Sequence, residues 1–446
     1  MFKAVVSDIC KLPGNYFSRF FWLKKSGIKR YILKKEIYAD VVIVGGGAAG
    51  FFAAANLAEL RPDLKIIILE RGKQVLEKVR ISGGGRCNVT HACFEPKELV
   101  KFYPRGSKEL LAPFHRFCSG DTIVWFEKRG VSLKIESDLR MFPETDSSLT
   151  IVNCLMNSIH KPGISLVTSQ RIDAINHSEN TEFPFQVHTE AAIYRSSALL
   201  VTTGSNAAVW EMLRKLGHQI VPPVPSLFTF HCKDARIIDL EGISVENVSV
   251  SLPDAGYSAL GPLLITHWGF SGPAILRASA WAARDLHQRQ YHFTLKINWM
   301  CYYSAEEVLD VLMDNKSEQP KKKIQNCPQS GIPARLWKRI CEAAGISDQL
   351  TWADASKKSL QHLSAQLCEA TFHVNGKSTF KEEFVTAGGV ALREVNFKSF
   401  GSKVIPGLYF AGEVLDIDAV TGGFNFQAAW TGGWCAAHSI AELLKK

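Results

Sequence analysis

Several features that define other protein classes are missing from this 446-residue chain. No apolar run approaches the ~18 residues that a helix needs to cross a bilayer, so no transmembrane helix is expected. The 11 cysteines include no C-x-x-C pair, which argues against a zinc site or a disulfide framework and favours reduced thiols in the cytoplasm. There is no G-x-S-x-G or H-E-x-x-H motif, and no histidine spacing typical of metal ligands. A globular protein without a metal centre is therefore expected.

Positive charge is concentrated at the N-terminus. Of the net charge of +9, residues 1–38 carry +7, which leaves the remaining chain nearly neutral. A neutral body argues against nucleic acid as the partner. Residues 1–38 lack the apolar core and cleavage site of a signal peptide, so we expect a basic extension in front of the fold. Aromatic and basic residues interleave in it, which leaves two interpretations: a flexible extension, or an interfacial helix on an anionic membrane surface.

A dinucleotide-binding fingerprint follows this extension. Apolar residues 41–44 lead into Gly45-x-Gly47-x-x-Gly50 and a helix of small residues, and a second apolar run ends on Glu70. The first glycine allows a tight turn, the second lets the backbone approach a pyrophosphate, and the third lets helix and strand pack closely. The helix N-terminus offers N–H groups to phosphate, and Glu70 can accept hydrogen bonds from a ribose. Cofactor contacts are predicted at Gly45, Gly47, Ala48, Ala49, Gly50, Glu70 and Arg71.

A second constellation near the C-terminus repeats the order of strand, glycine and acid. Residues 408–413 end on Gly412 and Glu413, and residues 421–425 then lead into a helix expected over Gln427–Leu444. The positive end of that helix would face the pyrimidine edge of a flavin and favour its anionic reduced form by up to ~2 kcal/mol. A simple NAD dehydrogenase needs no such second site, so FAD is expected as the tightly bound nucleotide. Its further contacts would be Gly412, Glu413, Gly422, Gly423, Phe424 and Asn425.

Composition divides the chain into parts. After Gly217 prolines interrupt the sequence and alternating β-type stretches follow, which predict an antiparallel β domain. Helical segments rich in Lys, Gln and Ala interrupt that domain, and glycine-rich β–α character returns before the C-terminus. The predicted parts are a basic extension (1–38), an FAD-binding domain (39–217 and 383–446), a β domain (218–302 and 364–382) and a helical insert (303–363).

Three further motifs complete a recognisable set: Ser82-Gly83-Gly84-Gly85-Arg86-Cys87-Asn88, His267-Trp268-Gly269 and Thr386-Ala387-Gly388-Gly389. With the two C-terminal motifs they resemble the bacterial family of BaiN-like NAD(P)/FAD-dependent oxidoreductases, or aminoacetone oxidase family FAD-binding enzymes, over roughly residues 39–446. The resemblance implies an α/β fold: a Rossmann-like FAD-binding domain split by an inserted antiparallel β-barrel domain that carries a small helical insert. It also implies FAD contacts at Ser82, Gly84, Arg86, Cys87, Asn88 and Gly204.

His267 and Cys87 are the candidates for chemistry. His267 can protonate a substrate from the β domain, or it can pack at a domain interface. Cys87 can pack near the flavin, or it can form a redox pair with Cys93, although five residues rather than the usual four separate them. Arg86 suits a pyrophosphate or a substrate carboxylate. Arg140 can enter the cleft or tie a loop.

These features predict an FAD-dependent oxidoreductase that transfers hydride through flavin N5 to or from a small organic substrate. Only one G-x-G-x-x-G motif is present, so NADH or NADPH would dock transiently as electron donor. Enone reduction and amine oxidation both fit. Two alternatives from other classes are an RNA-modifying or RNA-binding flavoprotein and a non-catalytic FAD-bound redox sensor.

Overall fold

The computed structural model describes residues 20–25, 28–378 and 385–445, and its largest sheet has nine strands. We call this sheet, with the helices packed on it, the parallel-sheet unit. Its parallel strands are, in spatial order, Leu408–Phe410, Ala192–Val201, Lys35–Val44, Ile66–Leu69 and Ile164–Val167. Antiparallel strands extend it at one edge and beside Ala192–Val201: Val395–Asn396, Gly401–Ser402, Phe185–Thr189 and Ile172–His177.

The centre of the sheet is buried on both faces. Residues 41–44 and 66–69 are almost inaccessible to solvent, as expected for parallel strands that are covered by helices. Phe424–Leu443 packs on Ala48–Leu60, where the rings of Phe52 and Trp430 lie 5.1 Å apart. The predicted α/β Rossmann-like architecture is confirmed. The remaining helices of this unit are Glu77–Gly85, Pro96–Leu99, Ser107–Phe114, Ser119–Glu127, Ser148–Ile159 and Ala207–Lys215.

One strand differs from the sequence expectation. The sequence predicts a short strand over 192–194 and a separate buried strand over 197–204, but Ala192–Val201 is one continuous strand. It pairs with Lys35–Val44 from Ala192 onward. Arg195 interrupts the apolar run, yet its guanidinium makes two hydrogen bonds of 3.0 Å to Glu36 on the neighbouring strand. This cross-strand ion pair lets a charged residue continue the strand.

The second unit, the antiparallel-sheet unit, contains seven strands. They are, in spatial order, Ala370–Asn375, His292–Asn298, Ser244–Leu252, Tyr257–Thr266, Gly269–Ser271, Thr229–His231 and Lys377–Ser378. Among the described residues these ladders form an open path, so the antiparallel sheet is observed and closure into a barrel stays a prediction. Pro273–Trp281, a helix that the sequence analysis did not predict, packs on this sheet, and Ala283–Gln288 follows it.

The helical segments expected in the insert are present. They are Ala305–Glu318, Ala334–Ala343 and Lys357–Cys368. The first begins with a capping box, in which Ser304 and Glu307 each accept the other's backbone N–H. Trp337 and Trp352 are fully buried in the same hydrophobic cluster as the antiparallel sheet. The insert is therefore anchored by apolar packing.

The structure describes part of the N-terminal extension, and that part is not the interfacial helix of the second interpretation. Phe20–Lys25 and Ile28–Leu33 form an antiparallel ladder rather than an interfacial helix. Aromatic and β-branched residues, which favour strands, make up much of both segments. Residues 1–19 lie outside the described part. None of the helices in the described ranges combines the length and apolar character needed to cross a membrane.

A buried ion-pair cluster joins the two units, and we call it the clasp. Asp418, fully buried, accepts hydrogen bonds from Arg105 and from Ser226. The Arg105 guanidinium also donates to the Ala280 carbonyl at 2.7 Å, and Arg284 donates to Asp416 at 3.0 Å. Burial raises the pKa of both carboxyl groups, and the facing arginines oppose that effect. The clasp holds residues 416–418 against the antiparallel-sheet unit.

Breaking the clasp on one side is expected to destabilise the protein strongly. Arg105→Ala should lower the free energy of unfolding by about 3–5 kcal/mol, because it leaves a buried carboxylate without its partner. Adding Asp418→Asn should recover part of that loss, since the unpaired charge is then removed. Lys101→Ala, which breaks an exposed pair with Glu98, is the control and should cost less than about 1 kcal/mol. Urea unfolding checks the three variants, and equal losses for Arg105→Ala and Lys101→Ala would contradict the expectation.

Candidate flavin site

The glycine fingerprint forms a turn packed tightly against the strand Ala192–Val201 and the residues after it. The Gly45 N–H donates to Leu69 O at 2.8 Å. A Cβ added at Gly50 would lie 2.1 Å from Gly45 O, and one added at Gly45 would lie 2.5 Å from Thr202 O. Side chains are therefore excluded at both positions. A Cβ at Gly47 would meet no atom within 4 Å, which leaves the space beside it open.

The helix Ala48–Leu60 begins at this open space. Gly47 is its N-cap, in an extended conformation, and no side chain caps the helix. The first N–H groups of a helix have no partner inside it, and here the positive end of the helix dipole adds to their attraction for phosphate. Ala48 and Ala49, in the first turn, are small enough to let a pyrophosphate approach. This geometry fits the predicted phosphate contact.

Glu70 ends the second strand, and its carboxylate is fixed by backbone donors. Oε2 accepts from Gly46 N at 2.8 Å and Oε1 from Gly72 N at 2.7 Å. A carboxylate has about four acceptor positions, so capacity is left for ribose hydroxyls. Arg71 follows as an exposed residue. The acid is therefore placed beside the glycine turn, as the fingerprint requires.

The two distant constellations meet at the N-terminus of the same helix. A Cβ at Gly412 would lie 3.3 Å from the Cβ of Ala49, and one at Gly204 would lie 3.7 Å from Glu413 Oε2. Lys78, which the sequence analysis did not single out, donates to Glu413. Thr203 Oγ1, beside Gly204, is buried without a partner in the described structure. An orphaned buried hydroxyl is typical of a site that a ligand completes.

The second glycine motif starts the helix Phe424–Leu443. Gly422 and Gly423 have φ of +133° and +89°, a conformation that glycine adopts without strain. In the amide orientation that satisfies both neighbours, Asn88 accepts from Gly423 N and donates to Thr90 O, each at 3.0 Å. Asn425 forms two hydrogen bonds to the backbone of Ala419. Asn88 and Asn425 therefore hold this turn in place.

Phe424 is the buried first residue of that helix. Its ring stacks on Phe102, with centroids 4.2 Å apart, and on His91 at 4.5 Å. Its carbonyl accepts from the Tyr103 hydroxyl at 2.6 Å. His91 and Tyr103 were not predicted as site residues, because neither belongs to a glycine or acid motif. They fix the start of the helix whose dipole would face the flavin.

The loop of residues 82–88 combines open glycines with a buried thiol. Gly84 has φ +66°, and a Cβ there would meet nothing within 4 Å, while Ser82 Oγ donates to Val79 O at 2.9 Å. Cys87 is buried with φ +63°. Burial raises the pKa of its thiol to about 12, so it stays protonated at neutral pH. Cys87 and Cys93 are both free thiols in this structure.

Arg86 and Arg140 lie against one aromatic ring. The Arg86 guanidinium is 4.0 Å from the centroid of Phe142, and it donates to Glu136 at 2.6 Å and to Asp146 at 3.3 Å. Arg140 lies 5.4 Å from the same centroid and donates to Asp138 at 2.6 Å. Arg140 therefore ties its loop, which is one of the two roles considered for it. The Arg86 charge is shared with two carboxylates.

His267 is distant from these motifs in sequence, and its side chain has different surroundings. It occupies the turn between Tyr257–Thr266 and Gly269–Ser271, its side chain is 78% exposed, and Nδ1 is 3.6 Å from Glu241 Oε1. Of its two expected roles, interface packing does not match such an exposed side chain. Its role in proton transfer stays a prediction.

Substitutions at two fingerprint glycines should separate an effect on cofactor binding from an effect on stability. Gly47→Ala should leave the melting temperature of the FAD-free protein unchanged, because its backbone and surroundings accept a methyl group. It should weaken FAD binding about tenfold or more, since it intrudes on the phosphate position. Gly50→Ala should instead cost roughly 1–3 kcal/mol of stability through overpacking. Thermal melting and FAD titration distinguish them, and equal FAD affinity for Gly47→Ala and the unaltered protein would refute the assignment.

Comparisons with known proteins agree with this geometry. A family model described as "HI0933-like protein Rossmann domain" matches residues 39–439. The chain is 28% identical to the ribosomal RNA dihydrouridine synthase of Haemophilus influenzae, covering 91% of this chain and 99% of that protein. It is 24% identical to the 3-dehydro-bile acid delta(4,6)-reductase of Clostridium scindens, covering 90% and 98%.

Solved structures give lower similarity. The 3-ketosteroid delta1-dehydrogenase of Sterolibacterium denitrificans has a TM-score of 0.48 and 11% identity, covering 91% of this chain and all of that chain. A flavocytochrome c3 fumarate reductase has a TM-score of 0.46 and 14% identity, covering 91% and 78%. The family match spans nearly the whole chain, and the described residues form a site that fits FAD. This protein therefore belongs to the HI0933-like family and is an FAD-dependent oxidoreductase.

Proposed function

We propose that this protein is a reductase that uses NADH or NADPH to saturate a carbon–carbon double bond conjugated to a carbonyl. The observation that carries the proposal is the convergence of Gly412 and Glu413 on Ala49 and Gly204, which builds one flavin site from two ends of the chain. The names of two relatives support the reaction type. Dihydrouridine formation and delta(4,6) reduction both saturate a ring carbon–carbon double bond.

FAD, when bound, supplies hydride transfer. The residues of this chain would hold it: the turn at Gly45–Gly50 for the pyrophosphate, Glu70 for the ribose and Glu413 for the ribityl chain. With FAD bound, the N-terminus of Phe424–Leu443 would direct its positive dipole end toward the flavin and favour the anionic reduced form by up to about 2 kcal/mol. In the net reaction the substrate gains a hydride that originates from the nicotinamide and a proton at the carbon next to the carbonyl.

The proton needs a donor, and we propose Cys87 or His267. A thiol with a pKa of about 12 keeps its proton at neutral pH and releases it only to a strong base such as a forming enolate. Cys87 also adjoins Asn88, which contacts Gly423. His267 is exposed and pairs with Glu241, so it would act from the antiparallel-sheet unit. The two donors can be distinguished with Cys87→Ser and His267→Gln. Each variant is assayed separately for reduction of the flavin by the nicotinamide and for reoxidation of the flavin by the substrate.

Uridine in RNA is the second candidate substrate. A relative that matches 91% of this chain is named a ribosomal RNA dihydrouridine synthase, and uracil contains a double bond conjugated to a carbonyl. The nearly neutral body of residues 39–446 offers little charge for RNA, so residues 1–38 would have to supply the phosphate contacts. Salt-dependent RNA binding that is lost on deletion of residues 1–38 would favour this substrate over a small molecule.

The decisive measurement is an anaerobic spectrum of the purified protein. We expect a yellow preparation whose flavin absorbance is bleached by NADPH or NADH and restored by a conjugated acceptor. The acceptors to compare are a cyclic enone, a steroid enone and a uridine-containing RNA. Bleaching by an amine rather than a nicotinamide would reverse the proposed direction of electron flow. Chemical reduction with no turnover on any donor or acceptor would favour the non-catalytic redox sensor.

A further inference from the structure

The C-terminal end of the helix Pro273–Trp281 lies against the clasp, beside the segment that connects the C-terminal cofactor motifs. Ala280 is fully buried in the hydrophobic cluster of the parallel-sheet unit, and its carbonyl accepts from Arg105 at 2.7 Å. Just beyond the helix, Arg284 donates to Asp416. Asp416 and Asp418 both belong to the segment between Glu413 and Gly422. This end of the helix therefore lies at the junction of the two units, beside the loop that connects the C-terminal cofactor motifs.

Trp281 is the exposed aromatic residue of this junction. Residues 277 and 281 are one turn apart, so they share a face of the helix, and that face adjoins the one that carries Ala280. The Trp281 side chain is 37% exposed. Its ring lies nearly parallel to the ring of Tyr257 in an offset stack, with centroids 5.8 Å apart and planes inclined by 15°. Tyr257 is partly buried, which gives the pair a rigid base.

A cation and an apolar residue border this aromatic pair. Arg277 donates to the carbonyl of Leu260 at 3.3 Å, and the Leu260 side chain is exposed. Arg277 keeps further N–H donors beyond this one bond. Aromatic side chains with a few polar donors line most small-molecule sites, and such sites form preferentially where domains meet.

We propose that Trp281, backed by Tyr257, stacks on the planar conjugated part of the substrate, and that Arg277 donates to its carbonyl oxygen. This assignment rests on the proposed function, because it is the conjugated carbonyl compound that brings both a flat π-system and an acceptor oxygen. Stacking recognises the planar ring, and the guanidinium fixes the direction of the carbonyl. Trp281 and Arg277 thus determine which acceptors bind.

The proposed stacking site is tested by measuring the binding of two aldehydes to the oxidised, FAD-loaded protein. No electron donor is needed. The probes are trans-cinnamaldehyde, a conjugated aldehyde with an aromatic ring, and crotonaldehyde, which has the same conjugated aldehyde but no ring. Binding is followed by the change in flavin absorbance. Trp281→Ala should raise the Kd for trans-cinnamaldehyde about tenfold, the size expected for one lost stacking contact with an aromatic ring, and should raise the Kd for crotonaldehyde, whose planar part is much smaller, far less. Trp281→Phe should restore most of the affinity, which also guards against a folding defect.

Arg277→Met should have a different signature. It removes the donor and keeps the bulk, so the Kd should rise for both aldehydes, since both have the carbonyl. Tyr302→Ala, which removes a 79% exposed aromatic residue elsewhere, is the matched control and should change neither Kd. FAD content should be equal in all variants, and the rate of flavin reduction by NADPH should be unchanged in Tyr302→Ala.

The outcomes separate this inference from the function on which it rests. Selective loss of trans-cinnamaldehyde binding in Trp281→Ala supports the stacking site, even if neither aldehyde is reduced and the proposed reaction fails. An unchanged Kd in that variant overturns the stacking site, even if the unaltered protein reduces both aldehydes. Absence of measurable trans-cinnamaldehyde binding by the unaltered protein would also overturn it.

Discussion

The fold depends on the close approach of two backbone segments, which is possible because Gly45 and Gly50 contribute no side chain to the contact. The turn at Gly45–Gly50 lies against Thr202, and the spaces at Gly45 and Gly50 are too small for a methyl group. Thr202 Oγ1 donates to Gly45 O at 2.9 Å and locks the contact. This contact sets where the helix Ala48–Leu60 begins, and thereby where its N–H groups point. The C-terminal helix packs on the same helix through Gly433, so both halves of the cofactor site take their position from it.

The cofactor half of the site could be predicted because its signals are local. A glycine turn between a strand and a helix, with an acid at the end of the next strand, needs only short-range spacing to be recognised. The same holds for the helices of the insert, which were predicted from their local composition rich in Lys, Gln and Ala. The convergence of the two constellations could also be predicted, since each has a role only as part of one flavin site.

The rest depends on pairings between distant residues, which leave no periodic signal. Arg105 and Asp418 are 313 positions apart. Each is a single charged residue in its local sequence, so nothing there distinguishes it from a charged residue on the surface. Lys78 was missed for the same reason. Arg195 misled the strand assignment because its partner Glu36 lies on another strand. The helix Pro273–Trp281 was missed because alternating β-type stretches surround it, and the tertiary contacts of Ala274, Ile275 and Ala278 decide its conformation.

The point of insertion has a consequence for how the chain closes the long loop between two paired strands of the parallel sheet. Leu199 pairs with Leu408, although roughly two hundred residues separate them, and the entropy of closing such a loop grows by about 0.6 kcal/mol per doubling. The ladder between Ile220–Pro225 and Thr386–Val390 brings the two ends of the inserted segment side by side. If the insert folds first, its paired ends hold the strand Leu408–Phe410 close to the strand Ala192–Val201 that it joins. The order of assembly is then insert before sheet edge, and the flavin site is the last part to form.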